Sequence, residues 1–524
     1  MYWLYLNRLV WYCAPRSNFA QGSPLHTNLL QRRSAALGCS APLLAGMLAL
    51  AGCAVGPDYR RPPPPEVNRY TAQALPAATV ASSDGASDAQ RFQQGHDVPA
   101  QWWTQFDSPE LIRRVDLALA HSPSIASADA ALRQALENAR AAGGALWPAV
   151  DAGTGATRQK QSAASFGGAF KFPPLTVYNA SVSVSYGLDL FGGTRRAIES
   201  QEALADVQRA RTDATYLTLA ANVVTASLQE ASLREQVQAT EDIVAAQRQS
   251  LKIAEQQQQI GAKSLSDTLA VRTQLASTEA SLPPLRAQLA ATRNQLATYL
   301  GTTPAQLQLA PLELGEVKLP ADIPVSLPSR LVEQRPDIRA ASAQLHAATA
   351  QVGVATAAML PQITLSASGG SQALKAGDLF AAGTRSWSLG LGLTQPLFHG
   401  GELRHKKRAA QAGLDQAAAD WQQTVLVAFQ NVADALQALQ FDAQGLAAQT
   451  TAEHAAAQQL ELTRSQFKLG ATGYLELLQA ERSHQQARLA LIQARTARLA
   501  DTAALYTALG GGWQAASDDA NQQP

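Results

Sequence analysis

Residues 180–188 read Ala180-Ser181-Val182-Ser183-Val184-Ser185-Tyr186-Gly187-Leu188, with apolar side chains at every even position and small or polar residues at every odd one. A period of two is the pattern of a β-strand with one greasy and one wet face. The alternation returns at Ile363, Leu365 and Ala367 among Gln362, Thr364, Ser366 and Ser368, and at Trp387, Leu389, Leu391 and Leu393 among Ser386, Ser388, Gly390 and Gly392. Val150 to Thr157 is a weaker fourth strand. Such strands of roughly ten residues build membrane β-barrels with a wet lumen, although a half-buried soluble sheet gives the same alternation.

The flanking segments weigh in favour of the membrane. From about Thr194 to Gln259 and from about Glu402 to Leu469 the chain is rich in Ala, Gln, Leu and Arg, with Gly413 and Gly445 as isolated exceptions. Val425, Phe429, Val432, Leu436 and Leu439 step by four and three, as in a coiled-coil seam. Roughly 65 residues make a rod of about 100 Å. Rods of that length need to lie side by side in an elongated bundle or tube. Turns at Gly261 and Gly470 send the chain back through helices from about Ser264 to Tyr299 and from about Leu475 to Leu509. The pair Pro283-Pro284 is expected to kink or break the first of these.

The chain is two copies of one design. Pro123-Ser124-Ile125 matches Pro336-Asp337-Ile338, Trp147-Pro148 matches Leu360-Pro361, and Leu190-Phe191-Gly192-Gly193 matches Leu397-Phe398-His399-Gly400-Gly401. Asn222-Val223, Gly261 and Leu300-Gly301 recur as Asn431-Val432, Gly470 and Leu509-Gly510, always at an offset of about 207 to 213 residues. Each copy reads helix, strand, strand, long helix, turn, long helix. The expected division is a leader at 1–52, an extended segment at 53–100, a first repeat at 101–310, a linker at 311–329, a second repeat at 330–513 and a disordered tail at 514–524.

Arg32 and Arg33 precede a small, apolar stretch from Ser34 to Ala51 that ends in Leu50-Ala51-Gly52-Cys53. This order is that of a secretory signal, and the tetrad resembles the bacterial lipoprotein cleavage site, which makes Cys53 the lipidation candidate. Gly56-Pro57 and Pro62 to Pro65 argue against a core helix here. A leader of 52 residues exceeds the usual roughly 15 to 30, so the translation start is expected downstream of Met1. Cleavage removes Cys13 and Cys39, leaving no pair for an internal disulfide. Lipoproteins of this kind commonly carry aspartate after the cysteine when retained in the inner membrane. Ala54 here favours the outer one.

The formal net charge is +1, and no Lys/Arg stripe interleaved with aromatics is visible, so nucleic acid is an unexpected partner. No HExxH, GxSxG, Walker A or CxxC pattern is present, and the eight histidines are scattered. Neither an enzyme nor a cofactor or metal site is expected.

These residues resemble the TolC-like outer-membrane efflux proteins, in their NodT/OprM-type lipoprotein branch. The carriers are Cys53-Ala54-Val55-Gly56-Pro57-Asp58-Tyr59, Trp102-Trp103 with Phe106, Leu188-Asp189-Leu190-Phe191-Gly192, Arg335-Pro336-Asp337-Ile338, and Pro396-Leu397-Phe398 with Gly400-Gly401. The resemblance implies a mixed α and β membrane fold: a homotrimer whose protomers each give four strands to a twelve-stranded β-barrel, continued by a long periplasmic α-helical barrel. Four strands cannot close a barrel alone, so a cyclic oligomer is also expected on physical grounds. The implied partners are a periplasmic membrane-fusion adaptor, an inner-membrane pump of the RND or another class, and outer-membrane lipid.

It further implies that the turns form the periplasmic tip, placing Gly261, Ser264, Leu265, Gly470, Gly473 and Tyr474 at the adaptor contact. Asp267 and Glu476 take equivalent places, and relatives carry a carboxylate at the latter and three residues on, as a cation-sensitive gate. Gln479 departs from that pattern, so a gate here is expected to be less charged. Plain helix caps and solvated carboxylates are the simpler readings of both sets. Arg335 to Ile338 is read as structural, with Pro336 opening a helix. The expected function is a passive exit duct for drugs or other small toxic compounds. The rivals are a secretion or heavy-metal export duct of the same fold, a structural periplasmic coiled-coil lipoprotein, and a cell-wall hydrolase.

Overall fold

The computed structural model describes residues 54–81, 89–160, 162 and 173–511. The leader, Cys53 and the 514–524 tail lie outside the described residues. In chain order the elements are β1 (Arg91–Gln94), α1 (Pro109–His121), α2 (Pro123–Gly143), β2 (Ala149–Gln159), β3 (Leu175–Leu188), α3 (Gly193–Gln259), α4 (Leu265–Tyr299), β4 (Asp322–Val325), α5 (Pro328–Gln334), α6 (Pro336–Ala357), β5 (Gln362–Ala373), β6 (Arg385–Thr394), α7 (Glu402–Lys468) and α8 (Tyr474–Ala508). The two copies match to the residue in their long parts: α3 and α7 each have 67 residues, α4 and α8 each 35.

Both helical returns are the same capping motif. Gly261 and Gly470 hold φ of +74° and +72°, which a residue with Cβ adopts only under strain. Gly261 N donates to Gln258 O at 2.9 Å and Ala262 N to Gln257 O at 2.8 Å; Gly470 N and Ala471 N repeat this on Phe467 O and Gln466 O. These paired bonds satisfy the last carbonyls of each long helix and reverse the chain.

The strands form one antiparallel sheet in the order β2-β3-β5-β6. Its register aligns the greasy residues: Val150 faces Val184, Val184 faces Ala367, Ala367 faces Leu389, and Leu365 sits between Tyr186 and Leu391. The other face carries Asp151, Ser183, Ser368 and Ser388, the last two hydrogen-bonded at 2.8 Å. β3 begins at Leu175, five residues before the alternation suggests. There the apolar phase shifts from odd positions (Leu175, Val177) to even ones, which hides the strand from a strict period.

The main core lies midway along α3 and α7 and at the end of α8, where Trp102, Phe106 and Tyr506 cluster, Trp102 and Tyr506 with ring centroids 5.7 Å apart. Two segments without a period take part in the fold. Of the 53–100 segment, read as extended or disordered, Arg91–Gln94 is a strand paired in parallel with Asp322–Val325. The segment read as a linker carries Leu312, Leu314, Val317, Ile323 and Val325, all buried. Neither piece has a period because each buries only a few side chains on a surface that helices supply.

Residues 55–81 run as a strap along the bundle. Val55 N donates to Phe191 O at 3.0 Å, Tyr59 bonds Ser342 and stacks on His346, and Tyr70 donates to Ser326 O. Gly56 crosses α6 at Gly353 so closely that a Cβ on it would come within 2.5 Å of the Gly353 Cα. Arg335 bonds Asp337 at 2.7 Å and donates to Ala508 O at 2.8 Å, so the Arg335-to-Ile338 motif opens α6 and caps the end of α8.

The proline pair does not break α4, which runs unbroken through Pro283 and Pro284. Ion pairs hold it on α3 from both sides: Arg272 to Glu255 and Arg248 to Glu279 before the prolines, Arg286 to Glu241 after them. Tertiary packing overrides local propensity.

Candidate functional site

Two regions carry functional geometry, the sheet and the tip. On the sheet, Trp387, Leu389, Leu391 and Leu393 of β6 are 83%, 78%, 71% and 68% exposed. Water does not tolerate a continuous apolar band of this kind, and a lipid or protein neighbour must cover it. β2 and β6 are the sheet's two edges, and each leaves a row of backbone donors and acceptors without a strand neighbour. Strands of ten to fourteen residues are long enough to cross hydrocarbon when tilted. Among the described residues no helix is long and apolar enough to cross a membrane.

At the tip the structure brings the two turns together through a residue that sequence reading missed. Lys263 of the first turn lies over the rings of Phe467 and Tyr474 from the second hairpin, 4.5 Å from each centroid. Those rings meet edge to face at 5.9 Å. Burial pushes the Lys263 ammonium below its ordinary value, and the Asp267 charge pulls it back up. No signal in the sequence sets this lysine apart, because the contact depends on the two turns lying side by side.

The predicted tip residues divide. Gly261, Ser264, Leu265, Gly470 and Gly473 are exposed, whereas Tyr474 is half-buried under Lys263. Ile260, Leu269, Leu469 and Leu475 are exposed apolar residues beside them. Asp267 and Glu476 both occupy the third helical position. Asp267 completes a capping box with Ser264, bonding its hydroxyl at 2.9 Å and accepting from its backbone N at 3.3 Å. The Glu476 carboxylate lies against Gly473, where a Cβ would meet Oε2 at 2.7 Å. Glu476 and Gln479 are exposed.

Among the described residues, two carboxylates that the sequence did not single out are pushed above their ordinary values. Glu481, on the inner side of α8, is pushed up by burial against the pull of Arg464 at 3.7 Å. Asp442 on α7 is pushed up to about 7, by burial first and then by the facing Asp501 carboxyl, with Arg498 opposing. Nearer the core, Glu230 is buried among Arg114, Arg234 and Arg293 at 3.4, 2.7 and 3.1 Å. Among the described residues no cluster of three or more His, Cys, Asp or Glu could hold a metal ion.

A family model described as outer membrane efflux protein matches residues 115–302 and 327–511, one match for each copy. The chain is 32% identical over 489 residues to outer membrane protein OprJ of Pseudomonas aeruginosa, covering 92% of this chain and 97% of that one. It is 30% identical over 477 residues to the toluene efflux pump outer membrane protein TtgC of Pseudomonas putida, covering 90% and 96%. Its structure resembles that of the outer-membrane channel OprN with a TM-score of 0.76 and 30% identity, over 88% of this chain and all of that one.

Proposed function

Because the chain belongs to the outer membrane efflux protein family, and so works as an efflux exit duct in the outer membrane with a TolC-like channel fold, we propose that three copies close one channel and that an adaptor docks on its tip. The carrying observation is the four-stranded sheet, apolar on one face, polar on the other and unpaired at both edges. Pairing β6 of one copy with β2 of the next closes twelve strands, satisfies every edge and turns the Ser-rich face toward a water-filled lumen.

In this reading the pump of the inner membrane supplies the energy, and the protein contributes a polar path rather than catalysis. Cys53 carries acyl chains that add an anchor of roughly 0.8 kcal/mol per buried CH₂. The exposed apolar residues around Gly261 and Gly470 receive the adaptor, and three copies of Glu476 line the opening, repelling one another when ionised. Asp267 serves its capping box first. With Gln479 neutral, one carboxylate per copy remains at that level.

The test is the mass of the detergent-extracted particle together with mass analysis of the N-terminal peptide and conductance in planar bilayers. A species of three acylated protomers that opens pores is the expected result. A water-soluble monomer without pores sinks the channel; a trimer that lacks acyl chains removes the anchor alone.

A further inference from the structure

Four strongly basic side chains crowd the start of α7, where a helix least favours them. Arg404, Lys406, Lys407 and Arg408 lie three to seven residues past the N-cap Gly401, and the partial positive charge of a helix N-terminus opposes cations there. Arg404, Lys406 and Arg408 are exposed and Lys407 is half-buried. Among the described residues only Lys406 has an acidic partner, Glu402 at 2.5 Å. The first copy treats the same place differently. Arg195 pairs with Asp189, Arg196 pairs with Asp58 and Glu199, and no further cation follows until Arg209. The repeat itself therefore does not require this charge.

Its depth follows from the strand ends. Leu397 and Phe398, 91% and 87% exposed, lie between the end of β6 and α7. Trp147, 76% exposed, precedes β2 at the same end of the sheet. Exposed aromatic and apolar residues at strand ends mark the edge of the hydrocarbon. The helix carries residues 404–408 about 3 to 9 Å past its first residue, which spans a headgroup layer of about 5 to 7 Å and its border with water.

We propose that Arg404 and Arg408, which share one face of α7, form with the neighbouring Lys407 a binding surface for anionic phospholipid headgroups of the periplasmic leaflet. The proposal rests on the strands spanning the membrane. Cations at a bilayer surface attract anionic lipid and are screened by salt.

The experiment is native mass spectrometry of the full-length protein extracted in detergent and offered phosphatidylglycerol or phosphatidylcholine, at low and high salt. The expected result is a preference of the wild type for phosphatidylglycerol, about tenfold or more, that shrinks with salt. R404Q/K407Q/R408Q should lose it, while R404K/R408K, which keeps every charge, should retain it. Equal retention of the two lipids by the wild type, or an unchanged preference in the triple glutamine variant, overturns the proposal. So does a triple variant whose pores change ion selectivity while its lipid preference stays, since the charges would then face the lumen. Wild-type protein that opens no pores in planar bilayers sinks the spanning strands and the proposal with them, whereas pores without lipid preference sink the proposal alone.

Discussion

At the scale of single residues, the turns and the α7–α8 pair each carry one group in an unusual setting. Lys263 is caught between two rings of the other hairpin, an arrangement worth about 0.5 to 2 kcal/mol. Lys263→Ala should loosen both turns together, seen as faster amide exchange at residues 260–264 and 469–474; faster exchange in the first turn alone would deny the coupling. Asp442 gives a pH signature. Its pKa is raised to about 7 by burial and by Asp501, so between about pH 4 and pH 7 the folded state keeps a proton that the unfolded chain releases. Stability at this position therefore falls as pH rises through that window and levels off above it. Asp442→Asn should flatten that part of the profile, measured as thermal midpoints from pH 4 to pH 8. Neither group stood out in the sequence, because a partner about two hundred residues away, or on the facing helix, makes each of them notable.

Elements were legible wherever one period ran long. The alternation from Ala180 to Leu188 and the uninterrupted helical composition after Thr194 gave strand and helix with ends within a residue or two, apart from the start of β3. Paired strands β1 and β4, four residues each, carry no period and were missed. Pro283 and Pro284 misled in the opposite direction, since each removes an amide from the ladder while three Arg–Glu pairs keep α4 on α3. Replacing both with alanine should raise the unfolding temperature, because an interior proline costs about 3 kcal/mol where its strain is not relieved. An unchanged or lower midpoint would mean that α3 and the neighbouring side chains already compensate fully. Ser264 was legible as a helix cap, whereas Asp267 read as a gate group or a solvated carboxylate, and the Lys263 contact required knowing that the two turns sit side by side.

For the molecule as a whole, the proposed three-copy closure of the sheet makes folding an assembly reaction. A lone protomer ends in two strand edges, and in hydrocarbon each unpaired backbone group costs several kcal/mol, so the membrane part has no stable monomeric form to wait in. The helices carry their own backbone bonds and bury their own core, and they can form first, in water. Barrel formation should then depend steeply on protomer concentration while helix formation does not: diluting the chain during refolding into detergent ought to slow β-sheet gain and leave helical signal unchanged. Equal slowing of both signals would show that strands and helices form in one step. The cell faces the same rate law, and secreting this chain faster than its copies meet would fill the periplasm with half-finished ducts, each presenting the apolar flank of β6 to whatever chaperone or membrane arrives first.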